Sequence, residues 1–324
     1  MGGFQYSDSF LSAAERSIPS ALHSSRIISF SQHFPRATTI ASAGGSISYY
    51  IDATVADLSS GERAMVRLSP AKRADALRIE RDNFHRASRI VTMAQWAAES
   101  VIREYEVPRE KVSTILPGAN ITLPDDWQFT YDERKPGSER PLVLGFVGKD
   151  WQRKGLPFLL TVRSLLARMN WQVVVRAVGH CPEELKQVDG LEYVGFIDKQ
   201  KDEGRLHRFL AQCDLGCLFS KREPLGISTL EFLRVGVPVT GFAVEGLLDT
   251  LPPQGGLRFA PGASPEAVAE TIAAVFSDDD TRHALRQAAR QLSPFVTWDR
   301  CVREWRELLE TGGISSPFKL SEPL

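Results

Sequence analysis

The chain is 324 residues long, which is more than one ordinary domain core uses and enough for two domains. Hydrophobic residues make up 43% of it and charged residues 24%, so the composition excludes a disordered or fibrous protein. Its 39 Lys and Arg residues are balanced by 40 Asp and Glu, which gives a formal net charge of −1. This balance excludes general binding of nucleic acid through excess positive charge, so any anion must be met by a local site.

The four cysteines form neither a disulfide framework nor a zinc site. Cys213 and Cys217 are four residues apart, but no histidine or second cysteine pair accompanies them at zinc-site spacing. We therefore expect small buried thiols in a reducing compartment. The N-terminal residues do not have the pattern of a signal peptide, and no apolar run reaches the roughly 18 residues of a membrane span. These observations predict a cytoplasmic protein.

The first third of the chain contains a loosely ordered succession of elements. Strands are predicted at 26–34, 46–52, 89–93 and 111–119, and helices at 69–88 and 94–105. The helix at 69–88 is charged on one face, which suits either a membrane surface or packing on its own domain, and we favour packing. The next segment, 120–141, is polar, contains proline and has no periodicity, so it is the natural linker between two domains.

The last two-thirds of the chain alternate regularly between strand-like and helix-like segments. Short apolar runs predict strands at 141–148, 171–179, 191–196, 214–220 and 237–242. Apolar residues at helical spacing predict helices at 156–169, 205–213, 227–236 and 264–277, the last with Ser264 as N-cap. This alternation predicts an α/β fold with a doubly wound parallel sheet, whose ligands lie beyond the carboxyl ends of the strands.

The stretch from Cys213 to Phe242 carries the most chemical information. A predicted buried strand ends at Ser220, and a helix begins near Gly226 after the loop KREPLG. The first N–H groups of a helix are free and carry positive potential, so this junction predicts an anion site. Glycine at the junction lets a ligand approach the backbone closely.

Two carboxylates flank this junction. Glu223 precedes the helix and Glu231 lies more than one turn into it, so they can address different parts of an extended ligand whose phosphates lie at the helix end. The spacing alone is weak evidence, because Glu184 and Glu192 show the same separation elsewhere. The alternative is that neither acid binds a ligand: Glu223 is then an ordinary loop residue stabilised by the nearby helix N-terminus, and Glu231 a capping or surface residue of its helix.

The order of residues in this stretch resembles the retaining glycosyltransferases of the GT-B type, in particular family 4. That family has Ser, then Glu-x-x-Gly, then Leu-Glu, then Gly-x-Pro-Val, at nearly the spacing found here. Further matching segments are FVGKDWQRKG (146–155), VGF (194–196), LRFAPGASPEAVAETI (257–272) and residues 88–120. The resemblance extends from roughly Ile51 to the end of the chain, and the combination of segments is specific.

The resemblance implies a donor site for a nucleotide sugar. At matching positions, Lys149, Arg153 and Lys154 meet the diphosphate, as clustered cations at a strand end would. Glu223 contacts the transferred sugar and Glu231 the ribose hydroxyls. The implied catalytic residues are Glu223, Lys154 and Arg153, and the implied donor-binding residues are Gly148, Lys149, Phe196, Ile197, Pro224, Leu225, Gly226, Ile227 and Glu231. The alternative for the three cations is that they are solvated loop residues.

The sequence departs from the family pattern at three points. Lys149 stands where arginine is commonest, so Arg153 is expected to supply the guanidinium, and Pro224 replaces a frequent glycine and removes one N–H donor. The family's first domain normally opens with a strand, a glycine-rich loop and a helix, which are missing or shortened before residue 26. Acceptor-side candidates in this domain are His33, Asp52 and Thr54.

The resemblance implies the GT-B fold, with two Rossmann-like doubly wound domains facing across a cleft and the N-terminal one reduced. The expected domains are 1–122 on the acceptor side, a linker at 123–140, and a nucleotide-sugar-binding domain at 141–294. Residues 295–324 are expected to form a C-terminal helix crossing back toward the first domain, followed by a tail.

The implied activity is transfer of a sugar from a UDP- or GDP-sugar to a hydroxyl acceptor with retention of configuration, without metal or cofactor. The acceptor is expected to be a carbohydrate or a lipid-linked molecule in polysaccharide or glycoconjugate synthesis, with peripheral contact at the inner face of the membrane left open. Two alternatives remain: a non-catalytic GT-B partner that retains nucleotide binding, and another nucleotide-sugar enzyme of this fold such as an epimerase. The donor sugar, its base, the acceptor and the oligomeric state are left open.

Overall fold

The computed structural model describes residues 7–61, 64–129 and 132–322. The chain divides into two compact units, Met1–Leu116 and Pro117–Leu324, each built around its own parallel sheet. The first unit ends at Leu116, whereas the sequence analysis places the end of the first domain at residue 122. The described residues of the predicted linker, 123–129 and 132–140, belong to the second unit.

The first unit, in its described part, is a four-stranded parallel sheet flanked by helices. Its strands pair in the order β1-β2-β3-β4 and are β1 (Arg26–Ser29), β2 (Ser46–Ile51), β3 (Arg89–Thr92) and β4 (Val112–Thr114). Its helices are α1 (Asp8–Glu15), α2 (Ser20–His23), α3 (Ala37–Ser42), α4 (Val55–Leu58), α5 (Pro70–Arg86) and α6 (Gln95–Tyr105), with a 3₁₀ turn at Arg109–Lys111.

The core of the first unit lies between its sheet and α5 and α6. Three aromatic rings fill it in edge-on contacts: Phe84 lies 6.4 Å from Tyr49 and 5.1 Å from Tyr105, between ring centroids. Aromatic pairs favour this geometry over face-to-face stacking. Helix α5 buries Ile79 and Phe84 within its own unit, so the prediction that 69–88 packs as a domain helix is confirmed.

The predicted strand at 26–34 is too long. Strand β1 ends at Ser29, whose hydroxyl accepts from the Ser31 N–H at 3.1 Å and contacts the Phe34 carbonyl at 2.6 Å. A serine side chain that bonds to nearby backbone offers the chain a turn in place of a strand ladder. The apolar residues after Ser29 therefore belong to a loop at the carboxyl end of β1.

The second unit, over its described residues, is a six-stranded parallel sheet in the order β10-β9-β8-β5-β6-β7. The strands are β5 (Leu142–Gly148), β6 (Val173–Gly179), β7 (Leu191–Gly195), β8 (Leu215–Leu218), β9 (Val239–Phe242) and β10 (Gly256–Phe259). The helices are α7 (Leu156–Arg168), α8 (Glu183–Lys186), α9 (Glu203–Ala211), α10 (Ile227–Arg234), α11 (Leu247–Thr250), α12 (Pro265–Ser277), α13 (Asp279–Leu292) and α14 (Trp298–Thr311), with a 3₁₀ turn at Ser293–Phe295.

Strand β5 is central, because it pairs with β6 on one side and β8 on the other. One face of the sheet packs on α7 and α12 through apolar side chains such as Leu144, Phe146 and Ile272. On the other face, Gly145 and Gly216 leave room for the ring of Phe232 from α10, because a Cβ at either would lie within 2.7 Å of it. The doubly wound sheet predicted for this region is confirmed.

Strand β10 and the helices α8, α11 and α13 are absent from the sequence prediction. Strand β10 is only four residues long, and Arg258 interrupts its apolar pattern while its guanidinium bonds to backbone carbonyls. Helix α13 begins at an N-cap, Asp278, that follows α12 directly. The predicted C-terminal helix is present as α14, within the second unit.

All four cysteines are free thiols, as predicted. Three are buried, whereas Cys181 is only half-buried, because it lies in the loop after β6. Among residues 7–61, 64–129 and 132–322, no helix has both the length and the apolar composition needed to cross a membrane.

Candidate functional site

Parallel pairing brings the loops that follow the strands of the second unit to one edge of its sheet. The loop after β5 carries Lys149–Lys154, and the loop after β8 carries Ser220–Gly226. Because β5 and β8 are neighbours, these two loops meet at the carboxyl edge, where open α/β sheets bind ligands.

The carboxylate of Glu223 is the meeting point of the two loops. Its Oε2 lies 3.1 Å from Arg153 Nη1 and 3.2 Å from Lys154 Nζ, and it accepts from Ser220 Oγ at 3.2 Å. The Glu223 side chain is only 8% exposed. The structure therefore brings together the three residues expected to be catalytic, with the acid as counter-ion of the two cations.

Glycines shape the loop that carries the cations. Gly148 makes room for Lys154, because a Cβ there would lie 2.5 Å from Lys154 Cδ. Gly155 caps α7 with a φ of +84°, and a Cβ there would lie 2.3 Å from the Phe219 carbonyl oxygen. Only glycine fits such a position, so the loop after β5 packs directly on the end of β8.

Backbone contacts hold the two loops to each other. Arg153 donates from Nη1 to the Arg222 carbonyl at 2.8 Å and from Nε to Asp150 Oδ2 at 3.1 Å. The guanidinium is thereby oriented by three oxygens, those of Asp150, Arg222 and Glu223. A guanidinium oriented in this way is pre-organised for an anionic ligand.

Glu245, in the loop after β9, was missed by sequence reasoning. Its carboxylate accepts from Arg222 Nε at 2.6 Å and from the Glu223 N–H at 2.8 Å, and Gly246 N donates to the Glu223 carbonyl at 3.1 Å. Gly246 lies so close to Pro224 that a Cβ would be 1.7 Å from its carbonyl oxygen. The loop after β9 thus holds the backbone on which Glu223 stands.

Helix α10 begins at this place, as predicted. Gly226 is its N-cap at a φ of +80°, and a Cβ there would lie 2.3 Å from Leu247 Cδ2. Pro224 and Leu225 are buried ahead of the cap, and the Leu225 carbonyl accepts from Thr250 Oγ1 at 2.7 Å. The Thr229 N–H donates to the Gly226 carbonyl at 2.9 Å. The preceding N–H groups, at Ile227 and Ser228, come before the first helical acceptor, and N–H groups at this position of a helix can bind an anion.

Glu231, the second predicted carboxylate, is buried on α10 with its side chain 2% exposed. Its Oε1 accepts from the ammonium of Lys199, which lies in the loop after β7. Burial raises the pKa of Glu231, while the charges of Lys199 and Lys154 act in the opposite direction. Sequence reasoning did not identify Lys199, because nothing in the spacing links a loop lysine to a helix 32 residues away.

Lys149 contacts an aromatic ring rather than the Glu223 carboxylate. Its Nζ lies 5.4 Å from the centroid of Phe196, which stacks on His180 at 5.7 Å with nearly parallel planes. Phe196 is 50% exposed, whereas the next residue, Ile197, is buried. Lys149, His180 and Phe196 follow the neighbouring strands β5, β6 and β7, so the exposed ring forms part of the same edge.

The acceptor-side candidates belong to the first unit. Asp52 is exposed just after β2, and Thr54 is buried as N-cap of α4, with its hydroxyl accepting from the Asp57 N–H at 3.2 Å. His33 is buried in the loop after β1, and burial lowers its pKa to about 4. Gln32 Nε2 donates to the Ala53 carbonyl at 3.1 Å, so the loops carrying the three candidates are joined.

A fully buried acid lies beneath these loops. Glu80 accepts from the Val55 N–H at 3.0 Å and from the hydroxyl of Tyr105, and Tyr105 Oη accepts from the Ala56 N–H at 3.1 Å. Burial raises the pKa of Glu80 to about 8. The pair anchors the start of α4, next to Thr54, to α5 and α6.

A cavity of 560 Å³ lies at the opposite, amino-terminal edge of the second sheet, around Arg140, Val143, Val174 and Asp214. Arg140 forms a bidentate pair with Asp214 at 2.7 Å for each bond, so these charges are already satisfied. Within the three described ranges, no group of three His, Cys, Asp or Glu side chains is arranged to hold a metal ion.

A family model described as "Glycosyl transferases group 1" matches residues 128–292, just over half of the chain. The chain belongs to this family. The matched segment contains every residue discussed above at the carboxyl edge of the second sheet, from Gly148 to Glu245.

Curated group 1 relatives align with part of the chain. A glycogen synthase of Deinococcus deserti is 32% identical over 180 residues, which cover 54% of this chain and 39% of that protein. A D-inositol 3-phosphate glycosyltransferase of Corynebacterium urealyticum is 25% identical over 230 residues, or 63% of this chain and 52% of that protein. The chain thus spans about half the length of the curated relatives it matches.

Solved structures of glycosyltransferases share the fold of this group 1 chain. Anabaena HepE, in complex with UDP and glucose, superposes with a TM-score of 0.66 at 19% identity, over 94% of this chain and 80% of that one. WaaG, a glycosyltransferase involved in lipopolysaccharide biosynthesis, superposes with a TM-score of 0.58 at 18% identity, over 83% of this chain and 78% of that one. The predicted GT-B fold is confirmed.

Proposed function

We propose that the protein transfers a sugar from a nucleotide-diphosphate donor, a UDP- or GDP-sugar, to a hydroxyl acceptor. The observation that carries this proposal is the convergence of Arg153 and Lys154 on Glu223, three residues before the cap of α10. Two cations and free helix N–H groups at the carboxyl edge of a parallel sheet form a site for phosphate groups. In a chain of this family, and with HepE solved in complex with UDP and glucose, a nucleotide sugar is the ligand that fits.

The chemistry is mainly electrostatic. The bond between the anomeric carbon and the diphosphate oxygen breaks, and negative charge develops on that oxygen. Arg153, Lys154 and the N–H groups at Gly226–Ile227 stabilise this charge. The acceptor oxygen then bonds to the anomeric carbon, and its proton passes to the departing phosphate. No covalent intermediate on the protein is required.

Donor recognition divides along the sheet edge. Glu223 accepts hydrogen bonds from the sugar, Glu231 accepts them from the ribose hydroxyls, and the Phe196 ring with Ile197 meets the base. Lys149, placed over Phe196, brings positive charge to the same edge.

We propose retention of configuration because the order of motif residues resembles family 4, and no requirement for a metal because Arg153 and Lys154 supply the positive charge. The acceptor is a carbohydrate or a lipid-linked molecule, and a lipid-linked acceptor would place the protein at the inner face of the cytoplasmic membrane. His33, Asp52 and Thr54 remain the proposed acceptor-side residues.

The experiment is calorimetry of UDP and GDP binding, with slow hydrolysis of UDP- and GDP-sugars as the activity readout. We expect Lys154→Met to weaken binding of the matching nucleotide at least tenfold, since a charge-assisted contact to phosphate contributes about 1.5–3 kcal/mol. Lys319→Met is the matched control, because this exposed lysine lies near the end of the chain and, within the described residues, pairs with Glu322 alone. Added chelator should leave turnover unchanged.

Unchanged nucleotide affinity in Lys154→Met would refute the proposed site. Nucleotide binding without turnover of any donor would favour a non-catalytic partner of the same fold. A donor that changes stereochemistry at constant mass, without acceptor, would identify an epimerase.

A further inference from the structure

Glu231 has an unequal set of contacts at its two carboxylate oxygens. Its Oε1 accepts from Lys199, whereas no residue in the described part of the chain hydrogen-bonds to its Oε2. The side chain is nevertheless 2% exposed. Lys199 offsets the cost of burying this charge, and Oε2 stays accessible to a hydrogen-bond donor on a ligand.

Two cations act on this carboxylate, and they come from different elements. Lys199 follows β7 and touches it directly, while Lys154 follows β5 and acts through its charge. Lys154 is already in contact with Glu223 at 3.2 Å. Lys199 is 38% exposed, and Glu231 is its only ion-pair partner in the described ranges. Lys199 is therefore the cation dedicated to Glu231.

We propose that Lys199 is a positioning residue for donor recognition: it holds Glu231 ionised and oriented, so that Oε2 accepts hydrogen bonds from the vicinal hydroxyls of a ribose. This inference rests on the donor site proposed above. It adds to the site a residue from the loop after β7, outside the motif that contains Glu231. Through Glu231, Lys199 then acts on recognition of the ribose rather than of the phosphates or the base.

The sign of the pH effect follows from the charges. Burial raises the pKa of Glu231 and Lys199 opposes that shift, so removal of Lys199 raises the pKa further. A protonated Glu231 carboxyl presents an O–H donor to ribose hydroxyls that themselves act as donors, so the hydrogen bonds between Glu231 and the ribose are lost. Nucleotide affinity of a Lys199 variant should therefore begin to fall at a higher pH than that of the unchanged protein.

The test is calorimetry of the full chain with UDP and with 2′,3′-dideoxy-UDP, and with the two GDP analogues in parallel, between about pH 5 and about pH 8. We expect Lys199→Met to weaken UDP or GDP binding about tenfold at neutral pH, and more at lower pH. Binding of the dideoxy nucleotide should be equally weak in both proteins. Lys199→Arg should restore affinity to within about threefold, since it keeps the positive charge.

Lys201→Met is the matched control, because Lys201 is in the same loop and its ion-pair partner among the described side chains is Asp198, at 3.7 Å, rather than Glu231. It should bind both nucleotides like the unchanged protein. The proposal would be overturned if Lys199→Met lost the same affinity for the normal and the dideoxy nucleotide. Lys199 would then act on the phosphates or on folding, and thermal unfolding of each variant distinguishes these two roles. If the unchanged protein binds neither UDP nor GDP, the proposed function itself fails and this inference falls with it. If it binds and Lys199→Met binds equally well, only this inference fails.

Discussion

Glu245 has a left-handed backbone conformation, with a φ of +46°. Such a conformation costs a residue with a Cβ roughly 1–2 kcal/mol relative to glycine. Its carboxylate offsets this cost by accepting from Arg222 Nε and from the Glu223 N–H. A non-glycine residue in this conformation beside a candidate site indicates that its side chain has a role there.

Two substitutions separate the backbone cost of Glu245 from its side-chain contacts. Glu245→Ala and Glu245→Gly both remove the carboxylate, but only alanine keeps a Cβ at positive φ. We expect Glu245→Gly to be more stable than Glu245→Ala by about 1 kcal/mol in urea denaturation. At the exposed helical position Glu310, the order should reverse, since alanine favours a helix by about 1 kcal/mol. The same order at both positions would contradict this explanation.

The donor-side residues differ in how far the sequence predicts them. The junction of strand, loop and helix around Glu223 and Gly226 leaves a local signal, so their place at a strand end follows from the order of residues. Lys199 and Glu245 leave no such signal, because their partners lie on other elements and only the folded sheet brings them together. The position of Lys149 just after a predicted strand places it at the carboxyl edge of the sheet, but its contact with Phe196 depends on the packing of side chains.

At the scale of elements, Gly155 joins the loop that carries the cations to α7. It combines a φ of +84° with close packing on the Phe219 carbonyl. Both features fix the distance between the ends of β5 and β8. A side chain at this glycine should therefore displace Arg153 and Lys154 as well as lower stability.

Gly262 provides the matched comparison. Its φ is +85°, but a Cβ there would meet nothing within 4 Å. Gly262→Ala should cost about 1 kcal/mol for the backbone alone, whereas Gly155→Ala should cost about 1–3 kcal/mol more because of the contact at 2.3 Å. Urea denaturation measures both values. Equal losses would show that the close approach to Phe219 relaxes without cost.

Strands and helices of the second unit with a regular apolar period were predictable from the sequence, whereas short elements and elements with an interrupted pattern were not. The central strand at 141–148 and the helix at 156–169 were placed to within about two residues. Strand β10 was missed because Arg258 breaks its apolar pattern. Strand β1 was overextended because the turn formed by the Ser29 hydroxyl depends on contacts that periodicity does not reveal.

At the scale of the whole molecule, two buried groups make the stability of the first unit depend on pH. In the first unit, Glu80 has a folded pKa of about 8 against an ordinary value of 4.5, so the folded state binds more protons and stability falls as pH rises between these values. His33 has a folded pKa of about 4 against 6.5, so its contribution rises with pH over that window. The two effects oppose each other below pH 6.5, and Glu80 acts alone above it.

We therefore expect the stability of the first unit to fall between about pH 6.5 and about pH 8, with a slope of at most about 1.4 kcal/mol per pH unit. Hydrogen exchange at β2, corrected for the intrinsic rate at each pH, measures this stability, and β6 serves as the internal reference in the second unit. Glu80→Gln should remove the slope at β2 and leave β6 unchanged. A slope at β2 that persists in Glu80→Gln would show that Glu80 is not its source.

The strand order of the second sheet has a consequence for redesign of the protein. Arg153, Lys154 and Glu223 follow β5 and β8, which are inner strands, whereas Phe196 and Lys199 follow β7, an outer strand. Mutational libraries in the loop at 196–200 should therefore tolerate more sequence variety than libraries at 149–155, as thermal denaturation of library members would show. Laboratory evolution of the proposed nucleotide preference is best begun at that outer loop, because it leaves unchanged the inner-strand residues that we propose to stabilise the leaving group.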